Sequence, residues 1–194
     1  MNTKTLLSGL LLAFTLWQWG QAGWIYAKAQ LAQYLIADAW QSTLRSQQDS
    51  QQPKAPWPWA DTWPVARMQV PAHNIDLYVL EGADGSALAF GPGHMQGTAL
   101  PASHSNPGTS IIGGHRDTHF AFLADIQVGD MINIQNSQGN WQEYRISNTE
   151  IKNSETEPLF IQTDSNELLL ITCFPFNAIS AGGPLRFVVK ATLP

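Results

Sequence analysis

From residue 60 to the C-terminus the chain is broken at short intervals by turn-forming residues, and this spacing constrains the fold more than any other feature. The breaks are Gly82-Ala83-Asp84-Gly85, Gly91-Pro92-Gly93, Asn106-Pro107-Gly108, Gly129-Asp130, Ser137-Gln138-Gly139-Asn140 and Gly182-Gly183-Pro184. Glycine reaches backbone angles that other residues avoid and proline fixes one of them, so such clusters end regular structure. Between them lie runs of strand-forming residues: 65–70, 75–80, 109–113, 131–135, 141–146, 168–173 and 185–191. Many short strands at this spacing predict an all-β domain with short helices, closed as a barrel or packed as a sandwich. Short helical turns are expected at 120–125 and 155–160. No internal repeat, P-loop or dinucleotide fingerprint is present.

The N-terminal part follows other rules. Residues 5–27 carry no charge and are flanked by Lys4 and Lys28. Roughly 20 apolar residues span a bilayer. This stretch reaches that length only by including Trp17, Trp19 and Trp24, which suit a membrane–water interface. One reading is a secretory signal peptide cleaved at Ala27-Lys28-Ala29. The long, bulky stretch between Phe14 and that point, with Tyr26 beside it, favours an uncleaved signal anchor instead. Both readings put the rest of the chain outside the cytoplasm. Residues 24–45 contain neither Pro nor Gly, and apolar positions recur every three or four residues at Trp24, Ala27, Leu31, Tyr34, Leu35 and Ala39, which predicts a continuing helix. Residues 47–52 are polar, and Pro53-Lys54-Ala55-Pro56-Trp57-Pro58-Trp59 enforces extended backbone. The predicted organisation is an anchor over 1–27, a juxtamembrane helix and Pro/Trp-rich linker over 28–60, and a β-barrel domain over 61–194.

Composition narrows the function. Apolar residues make up 44% and charged ones 13%, so the chain is neither disordered nor highly solvated. The net charge of −5 and the scatter of the basic residues argue against nucleic-acid binding, which needs clustered Lys and Arg. A peptide or cell-envelope substrate fits better.

The single cysteine, Cys173, ends the apolar run Leu168-Leu169-Leu170-Ile171-Thr172-Cys173. Outside the cytoplasm it has no partner for an internal disulfide, so it is inert, paired between chains, or reactive. A cysteine ending an apolar strand is, taken alone, more often a small buried hydrophobe. Thr172 before it and the strand-breaking Phe174-Pro175-Phe176 after it favour a thiol at a strand mouth. Of the five histidines, His73 and His104 sit in polar turns. His94 follows Gly91-Pro92-Gly93, a bend able to frame a binding groove. His115 follows the strand-like Ile111-Ile112-Gly113-Gly114, whose glycines allow close backbone approach, and His119 four residues on is its rival. The His115/His119 pair with Cys173 also raises a metal site, but that requires helical spacing in a segment that follows a double glycine. Arg186 lies in the run Leu185-Arg186-Phe187-Val188-Val189 and is either half of a surface ion pair or a two-donor fork for a carbonyl or oxyanion.

These residues resemble the sortases, cysteine transpeptidases of the bacterial surface. Their signature Thr-Leu-x-Thr-Cys stands here as Leu169-Leu170-Ile171-Thr172-Cys173, with Leu169 in place of the first threonine, a change of strand packing rather than chemistry. The family's Gly-His pair appears as Gly114-His115 and its last-strand arginine as Arg186. Longer stretches, Gly114-His115-Arg116-Asp117-Thr118-His119-Phe120, Thr172-Cys173-Phe174-Pro175-Phe176 and Gly182-Gly183-Pro184-Leu185-Arg186, are similar to the Gram-negative subgroup. The resemblance implies a closed barrel with the site at one mouth and no metal or cofactor. It assigns Cys173 as nucleophile, His115 as proton-transfer partner and Arg186 as substrate-orienting cation, with Thr172 and His94 expected to contact substrate. It also implies a partner protein carrying a C-terminal sorting signal, similar to Leu-Pro-x-Thr-Gly, and an amine acceptor or water. The expected place is the inner membrane, single-pass, with the barrel facing the periplasm.

Two other classes remain at this point. L,D-transpeptidases are envelope cysteine acyl transferases whose nucleophile usually follows Ser-x-Gly, whereas Ile171-Thr172 precedes it here. An anchored β module for binding would keep Cys173 inert in its core.

Overall fold

The computed structural model describes residues 3–46, 53–103, 108–158, 165–178 and 182–194. Eight strands close into a barrel: β1 (Pro64–Val70), β2 (Ile75–Glu81), β3 (Gly93–His94), β4 (Thr109–Gly113), β5 (Met131–Asn136), β6 (Trp141–Asn153), β7 (Glu167–Cys173) and β8 (Leu185–Thr192). Their order around the barrel is β1-β2-β3-β4-β7-β8-β6-β5. The β2/β3 and β4/β7 pairs are parallel and the others antiparallel.

All seven expected strands form, most within a residue or two of their expected ends. Strand β6 is the exception. The expected run stops at Ile146, but the strand continues past a register shift between Ile146 and Asn148 and pairs with β8 as far as Asn153. Its polar second half is held by its partner's ladder rather than by its own pattern. Strand β3 and the four-residue helix α2 (Gly85–Leu88) lie in stretches that read as turns. The expected helical turn at 120–125 is a 3-10 turn, Ala121–Ala124. Of the turn expected at 155–160, residues 154–157 are turn or bend, and 159–160 fall outside the described residues.

The barrel closes because its strands alternate. β1 buries every second side chain, Ala66, Met68 and Val70, and β5 buries Ile132 and Ile134. Leu168 and Leu170 of β7 join Val189 and Ala191 of β8 in the same interior cluster, with Ile112, Phe120 and Leu123. Each fully buried aliphatic side chain of this kind contributes about 1.5–3 kcal/mol.

Helix α1 (Thr3–Arg45) is continuous through residue 27. Its last turns dock on the outside of the barrel wall. Ile36 packs with Leu80, Ala87, Tyr78, Trp57 and Phe90, while Trp40 is fully buried and its Nε1 donates to Gln135 Oε1 at 3.3 Å. Gln33 Nε2 donates to the Phe90 carbonyl at 2.7 Å. Upstream, Leu7, Leu10, Phe14, Trp17 and Trp24 are exposed. The membrane-spanning expectation is corrected here: among the described residues no helix is long and apolar enough to cross a membrane. The leucines of the first turns are diluted by Gln18, Gln21, Gly20 and Gly23 before a span is complete.

Candidate active site

Three chain segments meet at one end of the barrel. Strands β4 and β7 run parallel in the register Gly113↔Ile171, and the amide of Gly114 continues the ladder by donating to the Ile171 carbonyl at 3.1 Å. His115 follows Gly114 directly, two residues beyond the end of β4, as Cys173 follows Ile171 by two residues on β7. On the other side, β7 and β8 run antiparallel and Cys173 is the direct partner of Arg186. Side chains of directly opposed residues share a face with Cβ atoms about 4.5–5.5 Å apart.

Which face they share follows from the alternation. Leu168, Leu170, Val189 and Ile112 point into the barrel, whereas Ile111, Leu169, Ile171 and Val188 form a separate apolar cluster. Cys173 has the parity of Leu169 and Ile171, Arg186 that of Val188, and His115 that of Ile111 and Gly113. Cys173 and Arg186 therefore lie on the outer face of the β7-β8 sheet, at its end, beyond an apolar floor, and His115 follows the end of the neighbouring β4. Cys173 is partly exposed and His115 exposed.

Local sequence explains how His115 is carried there. A Cβ on Gly114 would lie 2.6–2.9 Å from ring carbons of Phe120, which is fully buried. Only glycine lets the chain cross that ring, and the chain then turns back on itself, with the Phe120 amide donating to the His115 carbonyl at 2.9 Å. Gly113 meets nothing closer than 3.8 Å, so of the two glycines the second is the one that packing requires. From beneath, the buried Thr172 hydroxyl donates to the Gly114 carbonyl at 2.7 Å.

The other expected site residues are placed differently. Thr172 points inward and supports the His115 segment rather than facing the outer surface. His94 pairs with Ile112, an inward position, and is 2% exposed. Its Nδ1 lies 3.0 Å from Glu81 Oε2 and its Nε2 3.0 Å from the Ala99 carbonyl, so the ring braces β2 and the following loop. The geometry does not bring it to Cys173. In the Gly91-Pro92-Gly93 bend a Cβ on Gly93 would overlap the Gly82 carbonyl, so that glycine serves close strand packing. His73 lies 3.0 Å from Asp130, and His104 falls outside the described residues.

His119 is partly buried in the turn after His115. Burial, and secondarily the nearby His115, push its imidazole below the ordinary histidine range, so it favours the neutral form. The segment 116–120 is a turn and not a helix, and among the described residues no three His, Cys, Asp or Glu side chains are grouped to hold a metal ion. Arg186 makes no ion pair among the described residues. Its Nη1 donates to the Gly183 and Leu185 carbonyls at 2.7 and 2.9 Å, which turns the loop before β8 back onto the strand. A cavity of about 280 Å³ bounded by Thr43, Trp63, Pro64, Glu81 and Leu100 includes none of these three residues in its lining.

Sequence reasoning missed Phe120. It closes the stretch 114–120 that resembles the family, but nothing local states which backbone the ring will cover.

Comparison with known proteins gives the same picture. The sortase domain model matches residues 68–194. Sortase D of Bacillus subtilis is 30% identical over 123 residues, covering 63% of this chain and 60% of that protein, so the match spans less than two thirds of the relative's length. A Clostridium perfringens sortase D5 transpeptidase superposes with a TM-score of 0.62 at 20% identity, covering 84% of this chain and 96% of that one. Sortase A from Corynebacterium diphtheriae gives 0.61 at 24% identity over 86% and 84%. These structures share the barrel. With the domain match covering more than half of the sequence, the chain belongs to the sortase family.

Proposed function

We propose that the protein is a cysteine transpeptidase that cuts a C-terminal sorting signal of a partner protein and transfers the new carboxyl end to an amine, or to water. The observation that supports this reading is that Cys173 on β7 is directly opposite Arg186 on β8, while β4, in parallel register with β7 as far as Gly113↔Ile171, leads into His115 two residues beyond its end. Cys173 Sγ attacks a main-chain carbonyl carbon and forms a thioester, and the C–N bond breaks. His115, protonated, gives its proton to the departing amine. The Arg186 fork stabilises the oxyanion, aided by a backbone N–H. The incoming amine then gives up a proton to His115, attacks the thioester and restores the Cys173 thiolate beside the protonated histidine. The apolar floor of Ile111, Leu169, Ile171 and Val188 suits the apolar residues of a sorting signal.

His119 is the weaker candidate for the proton-transfer role, because burial disfavours the charged form that must deliver a proton. The binding-module reading loses its main support, since Cys173 lies partly exposed at a strand end and not in the core. The Gram-negative subgroup assignment rests on the stretches around His115, Cys173 and Arg186. The work of the enzyme belongs at the cell envelope, where substrates with sorting signals arrive, and on the subgroup reading this is the periplasmic side.

The test is thioester capture. The protein is incubated with a panel of peptides based on Leu-Pro-x-Thr-Gly in the presence of hydroxylamine, and products are read by mass spectrometry. The wild type is expected to release a hydroxamate, and Cys173→Ala to release none while keeping its fold. Hydroxamate formation by the alanine variant would end the nucleophile assignment.

A further inference from the structure

The segment after Cys173 is tied to the segment that carries His115 by a side chain with no part in the chemistry above. Arg116 follows His115 directly and is partly buried. Its Nη2 donates to the Ala178 carbonyl at 2.9 Å, linking positions 62 apart in sequence. Ala178 closes the turn beyond Cys173, with its amide donating to the Pro175 carbonyl at 3.3 Å.

Together with the Thr172 hydroxyl on the Gly114 carbonyl, this makes two cross-links between the same two segments. One joins the residue before Cys173 to the residue before His115. The other joins the residue after His115 to the turn after Cys173. The histidine and the cysteine lie between them, one on each segment. Among the described residues neither takes an orienting hydrogen bond from a neighbouring side chain, so the backbone path sets where each one points.

We propose that Arg116 is a positioning residue that sets the spacing of these two segments and, through it, the approach of the His115 imidazole to the Cys173 thiol. This rests on the reading of His115 and Cys173 as the reacting pair. A guanidinium stays charged across the accessible pH range, so the link persists throughout it. A hydrogen bond from a charged donor is roughly twice as strong as a neutral one. Spacing matters because a misplacement of about 1 Å costs about a hundredfold in rate.

The experiment uses the full chain and iodoacetamide, which reports on the thiolate without any assumed substrate. Alkylation of Cys173 is followed across the neutral pH range in the wild type, Arg116→Met, Arg116→Lys, His115→Ala and the double variant Arg116→Met/His115→Ala. Methionine keeps an apolar stem and removes the donor. The expected result for Arg116→Met is alkylation slowed about tenfold with a displaced pH profile and an unchanged Tm, since part of the misplacement penalty is felt by the pair. Lysine, which keeps one donor, should recover most of that loss. In the His115→Ala background Arg116→Met should change nothing further.

A wild-type rate and profile for Arg116→Met, with His115→Ala still slowed, would overturn the inference and leave the reacting pair intact. Equal slowing by Arg116→Met in both backgrounds would also overturn it, because the effect would then bypass His115. No change in His115→Ala would remove the reacting pair itself, and this inference with it. Should Arg116→Met fail to fold, Arg116→Gln, whose shorter amide falls short of Ala178, takes its place in the same cycle, and the same rates support or overturn the inference.

Discussion

The two histidines that follow β4 differ in their surroundings. His115 is exposed at the end of the sheet, whereas His119 is held toward neutrality by burial. We expect His115→Ala to lose two to four orders of magnitude in turnover, the usual range for a positioned acid–base group, and His119→Ala to lose much less. Peptide-cleavage kinetics of both variants checks this, and the reverse ranking would exchange their roles. Arg186 poses the other residue-scale question. Its guanidinium has no carboxylate partner among the described residues, so a simple ion-pair role finds no support. If it holds an oxyanion, lysine cannot reproduce a planar fork. Arg186→Lys should then lower kcat by roughly two orders of magnitude, as loss of one oxyanion donor does, with little change in Tm. Near-normal kinetics would take it out of the site.

The turn from Gly114 to Phe120 is the element on which the site depends. The fully buried Phe120 ring cannot move aside for a Cβ at 2.6 Å, and Gly114 lies outside the positive-φ region, so the cost of substitution is steric alone. Gly114→Ala should destabilise by about 1–3 kcal/mol, as overpacking does, and should slow Cys173 chemistry by moving His115. Gly113→Ala, with only ordinary contacts near, should be almost silent in the same urea melts. Equal effects at the two positions would show that the ring does not set the path. Seven of the strands were legible, because runs of strand-forming residues bounded by turn residues state their extent. The second half of β6 was not, since it exists through its ladder with β8.

At the scale of the whole molecule, two carboxyls tie the barrel's surface together. Asp76 is held below the ordinary carboxylate range chiefly by the hydrogen bond from Arg67, and Asp130 by that from His73. A carboxyl lowered in the folded state contributes stability that is fully present above its unfolded value of about 3.9. That stability is lost as pH falls through the folded value. The protein should therefore be stable down to about pH 4 and lose stability steadily below it, with Asp130→Asn and Asp76→Asn each flattening this acid limb. Urea midpoints measured through a pH series check the sign. An acid limb unchanged in both variants would show that these pairs carry none of it. Helix α1 belongs to this scale as well. Its last turns are a lid on the barrel wall through Ile36 and Trp40, a role its apolar spacing allowed but did not specify.

The sequence by itself determined seven of the eight strands in outline, the single thiol and the motifs that surround it. All of these are local: a residue's type and its neighbours two or four positions away decide them. Tertiary structure alone decided that Cys173 and Arg186 share the outer face of the barrel wall, that His94 turns inward to brace Glu81, and that Thr172 and Arg116 fasten the segments around His115 and Cys173. It also decided that α1 packs against the barrel. Parity along a strand is written in sequence, but which strands become neighbours, and in what register, is fixed only when the barrel closes. One residue of slip would send Cys173 and Arg186 to opposite faces, and no local pattern encodes that choice.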